Sequence, residues 1–464
     1  MFLMDIVSPF FICIFKLFYL PAGSPQCLSN KRLIIYVHIR RRRLSIEDKP
    51  KNLLYKTFAY TVKGIINTTN AIRVRLFAQV RKGFLIYNRE IIYVLHECGA
   101  PRHYSALRHL ISNKYIGSAC IKYREFTIIR PLLLSLIRRD RVGFIKQLKN
   151  VLSLTYLCIS KRRVIVLGIA PYDYRLLLLR IILRNHIVLY HTSWPHWDFT
   201  TFPKNFLSTT RIIKKTWQRF LEKQVRGIFC ATQAVYLALE KSYSIPADKT
   251  IVYHSYNKNS FFPRKTLTPM KKMGIVFVGR LTHEKGIPQI IEIINTLPQD
   301  LFFYTFVGDG PLRACVQDLA FKKKYVNYAG YMEVDNKVGN ILRHHDILLL
   351  PSMKGQFWEE TVGIVVIEAM ACGVIPICSN HAGPKELIDH CVNGFLFSED
   401  DYVRKSLAII LELAVQRHTL VQMKQKAILM SARFTEDTVA EKWDSIIANH
   451  LRPSAEMNNN SISR

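Results

Sequence analysis

Glu360-Thr-Val-Gly-Ile-Val-Val-Ile-Glu368-Ala-Met-Ala-Cys-Gly373 is the stretch on which the reading of this chain turns. It lies between two short apolar runs, Ile347–Leu350 (followed by Pro351-Ser352) and Val374–Cys378, each of the length and composition of a buried strand. The residues between them predict a loop and then a helix starting near Thr361. Glu360 then stands at or just before the helix N-terminus, with Glu368 about two turns inside. A carboxylate on the loop can accept hydrogen bonds from sugar hydroxyls, and one deeper in the helix can hold the vicinal diol of a ribose. Gly363 lets the backbone approach a ligand closely, and the free N–H groups of the first turn can receive an anion. The same two acids also fit a plainer account, with Glu360 complementing the helix dipole and Glu368 in a buried salt bridge.

Two upstream clusters occupy equivalent places. Phe277-Val-Gly279-Arg280-Leu-Thr-His-Glu284-Lys285-Gly286 follows one predicted strand and precedes a helix. Gly279 permits a tight turn there, and Arg280 and Lys285 can converge on a diphosphate at the helix start, or stand as solvated surface cations. Val307-Gly308-Asp309-Gly310-Pro311-Leu312 follows the next strand, with Pro311 suited to a first helical turn. The amides of Gly308 and Gly310 would line a nucleotide pocket, or simply make a structural turn.

Taken in order, these clusters resemble the C-terminal domain of the family 4 glycosyltransferases. The resemblance runs from about Lys272 to Phe397 and includes Gly383-Pro384-Lys385-Glu386 and Asn393-Gly394. It implies a GT-B fold, an α/β architecture of two Rossmann-like, doubly wound domains facing across a cleft. It also implies a retaining transfer from a nucleotide-diphosphate sugar, with no metal or other cofactor because protein cations and amides stabilise the departing diphosphate. Arg280 and Lys285 would then neutralise the diphosphate, Glu368 would bind the ribose, and Glu360 would contact the transferred sugar. Val362 stands where the family often carries an aromatic residue, a departure that bears on sugar selectivity.

The first half repeats the strand–helix alternation from Glu90 onward: Ile91–Leu95, Val164–Ile169, Ile187–Tyr190, Gly227–Ala231 and Thr250–Tyr253 read as strands, with helices between them. By pattern this is the acceptor domain of the same fold. The loop Gly99-Ala-Pro-Arg-His-Tyr104 would face the diphosphate, and His191, ending a strand, would lie near the transferred sugar or serve only as a core histidine. His196, Trp194 and Trp197 are candidates to line an acceptor groove. The expected organisation is a basic, partly amphipathic N-terminal extension over 1–89, an acceptor domain over 90–262, a donor domain over 272–432, a final helix over 433–453 and a loose tail over 454–464.

Bulk properties fit two domains. The chain has 464 residues, 49% of them hydrophobic, and a formal charge of +32. That charge points to phosphate-bearing substrates, an anionic membrane surface or nucleic acid. No reading module or interleaving of surface aromatics with cations supports nucleic acid, so that partner is not expected. The ten cysteines show no CxxC pair or zinc-type spacing, which argues against a disulfide framework or a metal site. Apolar residues between Leu53 and Val80 recur at helical spacing among lysines and arginines, which suits either a membrane-surface helix or one packed on its own domain. No secretory signal is read at Met1–Leu20. The expectation is a cytoplasmic protein, peripheral at the inner face of the membrane, moving a sugar to a saccharide or lipid-linked acceptor. A GT-B enzyme acting on a small metabolite and a non-catalytic nucleic-acid binder are the rival readings.

Overall fold

The structure, a computed structural model, describes residues 90–451 except 98, 100–101, 198–210, 268–270, 334–335 and 356–358. The predicted extension over 1–89 and tail over 454–464 lie outside the described residues.

Twelve strands form two parallel sheets. The first contains β1 (Glu90–His96), β2 (Ala119–Glu125), β3 (Val164–Gly168), β4 (Ile187–Thr192), β5 (Val225–Cys230) and β6 (Asp248–Ile251) in the order β2-β1-β3-β4-β5-β6. The second contains β7 (Met273–Val278), β8 (Phe302–Val307), β9 (Val326–Gly330), β10 (Ile347–Leu350), β11 (Ile375–Ser379) and β12 (Phe395–Phe397) in the order β12-β11-β10-β7-β8-β9. Parallel pairing needs crossover helices on both faces, so the central strands are apolar on both sides. Val164–Gly168, Met273–Val278 and Ile347–Leu350 are accordingly buried from end to end. Each such Val, Leu or Ile contributes about 1.5–3 kcal/mol by leaving water.

Helices α1 (Ser105–Asn113), α2 (Ile129–Ile137), α3 (Arg141–Ile159), α4 (Leu176–Leu183), α5 (Arg211–Arg219) and α6 (Gln233–Ser242) flank the first sheet. Helices α7 (Ile287–Thr296), α8 (Arg313–Lys322), α9 (Asn336–Leu342), α10 (Ile364–Ala371), α11 (Ala382–Leu387), α12 (Tyr402–Val415) and α13 (Arg417–Ser431) follow in the second half. The last, α14 (Glu436–Ile447), is capped by Thr435, whose hydroxyl accepts from the Thr438 amide at 3.2 Å. It returns to the first sheet, where the Trp443 ring packs 4.1 Å from that of Phe229. The chain therefore passes between the sheets twice. The two passages run side by side, the Tyr256 amide donating to the Phe434 carbonyl at 3.1 Å.

Strand order reverses between β1 and β3 in the first sheet and between β7 and β10 in the second. Such reversals open a crevice at the carboxyl ends of the strands, where ligands of doubly wound sheets bind. All three motif clusters leave the second sheet at those ends.

Several predicted boundaries change. The helix expected near Thr361 begins at Ile364, capped by Gly363 with φ +66°, and the helix expected from Pro311 begins at Arg313. Two edge strands escape the sequence pattern: β2 is half-buried and mixed in polarity, and β12 has only three residues.

Candidate active site

Three loops of the second half touch backbone to backbone. Gly279 and Leu281 donate to the carbonyls of Val307 and Asp309 at 3.0 Å each, and Leu312 donates back to Leu281 at 2.9 Å. This contact depends on Gly308, which has φ +144°; a Cβ there would lie 1.8 Å from the Gly279 carbonyl oxygen. Gly286, at φ +72°, lies against the third loop, where a Cβ would stand 2.0 Å from the Pro351 carbonyl oxygen. Gly279 and Gly310 sit in the first two loops, and Arg280 extends exposed from the first.

Glu360 and Lys285, assigned by sequence to sugar and diphosphate respectively, form a half-buried ion pair. Because α10 starts at Ile364, Glu360 is not a helix-terminal charge. It is held in the loop by Lys285, by the Ser352 hydroxyl at 3.3 Å, and through its own amide, which donates to His381 Nδ1 at 3.2 Å. His381 in turn contacts Glu399 at 2.9 Å. A phosphate entering beside Lys285 would compete for the ammonium and leave the Glu360 carboxylate to a sugar hydroxyl.

Glu368 is buried on α10, as expected, and its partner comes from the other half: Arg102 Nη2 donates to Oε1 at 2.6 Å. The plainer account of Glu368 as a buried salt bridge is therefore realised, but across the cleft. Burial pushes its carboxyl up to about 7, against the opposing pull of Arg102. A second link across the cleft joins His196 Nε2 to Glu359 Oε2 at 3.3 Å. A third sets the Glu386 carboxylate on the N-terminus of α6, accepting from the Gln233 and Ala234 amides at 2.7 Å.

On the first-sheet side, His191 is the penultimate residue of β4 and lines a cavity of about 180 Å³ with His96, Glu97, His103, Thr192 and Trp194. Burial, with help from His103 and His96, pushes the His191 imidazole down to about 3, so it is neutral at ordinary pH. Its Nε2 is buried with no hydrogen-bond partner in the structure. His103 stacks on His254 at 4.6 Å, and burial lowers both imidazoles. His103, His191 and His254 thus offer polar nitrogens without charge. Trp194 meets His196 edge-on at 5.7 Å.

One sequence expectation is corrected here. Trp197 does not line a groove: it is buried among Tyr172, Tyr190 and Trp217, donating to the Trp194 carbonyl at 2.7 Å. Gly99 faces Glu125, whose Oε1 would be 3.1 Å from a Cβ, and the far end of its loop, Arg102 and His103, reaches the cleft and the cavity. The sequence placed Arg102 and His103 within that loop but gave them no role. Glu359 and His381 were missed altogether, although Glu359 adjoins Glu360 and was within reach. Among the described residues no group of three or more His, Cys, Asp or Glu converges as a metal site, and no helix is long and apolar enough to cross a membrane.

The two facing sheets and the cleft between them define the GT-B class. Comparison of the fold agrees: the structure of Anabaena HepE in complex with UDP aligns with a TM-score of 0.57 at 15% identity, covering 78% of this chain and 100% of that one. Sucrose-phosphate synthase from Thermosynechococcus elongatus aligns with a TM-score of 0.57 at 14% identity, covering 78% and 99%. Residues 258–430 match the family model described as "Glycosyl transferases group 1", so the second half carries a glycosyltransferase domain within a GT-B fold. The amylovoran biosynthesis glycosyltransferase AmsK of Erwinia amylovora is 33% identical over 156 residues, 30% of this chain and 35% of that protein. The match therefore spans only about a third of that curated relative's length.

Proposed function

We propose that this chain transfers a hexose-type unit from a nucleotide-diphosphate sugar to a saccharide or lipid-linked acceptor, with retention of anomeric configuration and without a metal. The observation that carries this reading is the convergence of Lys285, Glu360 and Glu368 with the amide-rich loops around Gly279, Gly308 and Gly310, all at the carboxyl ends of one parallel sheet. Amides and the Lys285 and Arg280 cations supply the charge stabilisation that a leaving diphosphate requires. In this reading Glu368 accepts from the ribose diol and Glu360 from a sugar hydroxyl close to the phosphate. The first-sheet cavity, with its neutral imidazoles and Trp194, suits a hydroxyl-rich acceptor or the transferred sugar itself.

HepE was solved in complex with UDP, and AmsK is named for amylovoran biosynthesis; the two favour a nucleotide donor and a glycan-assembly setting. A cytoplasmic position, peripheral at an anionic membrane, accords with the charge of +32.

A panel of UDP- and GDP-sugars incubated with the full chain, with and without EDTA, tests the reading. We expect hydrolysis or transfer from one donor, unaffected by EDTA, giving a product of the donor's anomeric configuration by NMR. No turnover of any donor, together with tight salt-sensitive RNA binding, would overturn it.

A further inference from the structure

Of the twenty-five large apolar side chains exposed among the described residues, fourteen lie between Ile129 and Ile181, all but Tyr174 on three consecutive helices. On α2, Ile129, Leu133, Leu136 and Ile137 share one side of the helix, and its only buried residue is Ser135. On α3, Val142, Ile145, Leu148, Leu152, Tyr156 and Ile159 form a continuous outward stripe, with Val142 80% and Ile159 78% exposed. The opposite side of α3 carries Gln147, whose Nε2 donates to the buried Glu125 carboxylate at 3.0 Å, and Asn150, whose Nδ2 donates to Gln147 at 3.2 Å. Helix α2 and the first half of α3 thus turn polar residues inward and aliphatic ones outward, while the second half of α3 buries Leu154 and Leu157 and still exposes Leu152, Tyr156 and Ile159. On α4, Leu177, Leu178 and Ile181 extend the patch.

The surrounding charge has one sign. Residues 129–184 contain twelve lysines and arginines against two acids, Asp140 and Asp173. Asp140 caps α3, and Asp173 is buried against Arg175. Beside α4 an open groove of about 570 Å³ is lined by Leu177 and Ile181 and by Arg180, Arg184, Arg219, Lys223 and Arg226, with no acid. Aliphatic side chains next to a cationic groove match the two layers of an anionic bilayer, acyl chains and phosphate headgroups. A second copy of the chain would oppose this face with the same charge. So would residues 1–89, with sixteen lysines and arginines against three acids.

We propose that α2, α3 and α4 form a surface that docks on an anionic phospholipid bilayer, with the groove beside α4 taking headgroup phosphates. This deepens the reading of peripheral membrane contact and assigns it to the first half of the fold instead of residues 1–89. It is independent of the donor chemistry. Another groove, also of about 570 Å³, is lined by Val142 and Ile145 of this face and by Gly99, whose loop leads to Arg102. The docked surface therefore adjoins the Gly99 end of the loop that carries Arg102.

The test is co-sedimentation of the full chain, in the absence of any donor, with phosphatidylcholine vesicles with or without about one-third phosphatidylglycerol. The unaltered protein should bind the anionic vesicles and bind the neutral ones at least ~10-fold more weakly. Leu133→Gln, Ile145→Gln and Leu152→Gln combined should lower partition ~10-fold or more with an unchanged melting temperature, since all three side chains are already exposed. Arg180→Gln with Arg184→Gln should erase most of the preference for phosphatidylglycerol. The proposal is overturned if the unaltered chain binds neither vesicle, or if the triple variant binds anionic vesicles as the unaltered chain does, which would return the contact to residues 1–89. It is also overturned if the triple variant changes only the sedimentation coefficient, which would make the face a contact between copies.

Discussion

The two halves of the molecule meet at one cleft but build their sides of it from different materials. The second-sheet side is made of backbone: Gly286 and Gly308 bring three loops into direct contact, and Lys285, Glu360 and Glu368 are then set on that frame. The first-sheet side is made of side chains: His96, His103, His191 and Trp194 surround a small cavity. A backbone frame cannot accept an added atom without moving, whereas a wall of side chains can be altered one residue at a time. The frame suits a ligand part of fixed geometry, a nucleoside diphosphate. The wall suits the variable part, the acceptor.

The sharpest way to break this comparison is at Gly308. Gly308→Ala places a Cβ on the Gly279 carbonyl at a φ that L-residues avoid, so we expect a loss of about 2–3 kcal/mol in urea unfolding and no measurable UDP binding. Wild-type stability in that variant would show that the loops are not interlocked. Lys285→Ala should come next. It frees Glu360 and removes charge from the diphosphate, so the transfer rate should fall ~10²–10³-fold in steady-state kinetics, with the fold intact by circular dichroism.

Glu368→Gln should weaken the donor Kd ~10-fold at pH 8 and flatten its pH dependence. The sign follows from the raised carboxyl. Its folded value, about 7, lies above its ordinary 4.5, so the folded chain holds an extra proton between those values. The contribution to stability falls as pH rises through that window, while donor affinity, which needs the carboxylate, rises toward pH 8. Arg102→Ala removes the partner that favours the ionised form and should move the affinity midpoint upward in calorimetric titrations.

The first-sheet side should respond differently. The His191 imidazole is depressed from 6.5 to about 3, so between these values the unfolded chain takes up a proton that the folded chain refuses. Stability is lost as pH falls through that window, and His191→Gln should make the melting temperature less steep in acid. Its donor Kd should stay within ~3-fold of the original while acceptor-dependent turnover falls. The smallest effect is expected for Trp194→Ala, an acceptor KM raised ~3–10-fold with the donor Kd unchanged. A matching loss of donor affinity in either variant would mean that the two sides do not divide the work.

Legibility in sequence followed the same division. Both sheets could be read because fully buried parallel strands leave uninterrupted apolar runs such as Met273–Val278 and Val164–Gly168. Strand β2 could not, because an edge strand with one partly wetted face alternates without a clear period. The motif glycines were visible because a steric requirement for no side chain leaves only one residue type. The roles of Arg102 and His103 were invisible, since an arginine or a histidine in a loop fits any surface. The helix starts three residues later than expected, because the chain enters it through Gly363 in a left-handed turn.

The sequence by itself determined the alternation of strands and helices and the positions where glycine is obligatory. These are local properties, set by burial period and backbone sterics within a few residues. Only the tertiary structure decided that Glu368 meets Arg102 from 266 residues away, that His196 meets Glu359 across 163 residues, and that Trp197 belongs to the core. It also decided that α2, α3 and α4 leave a row of aliphatic side chains exposed, because which face of a helix is covered depends on what the rest of the chain brings against it.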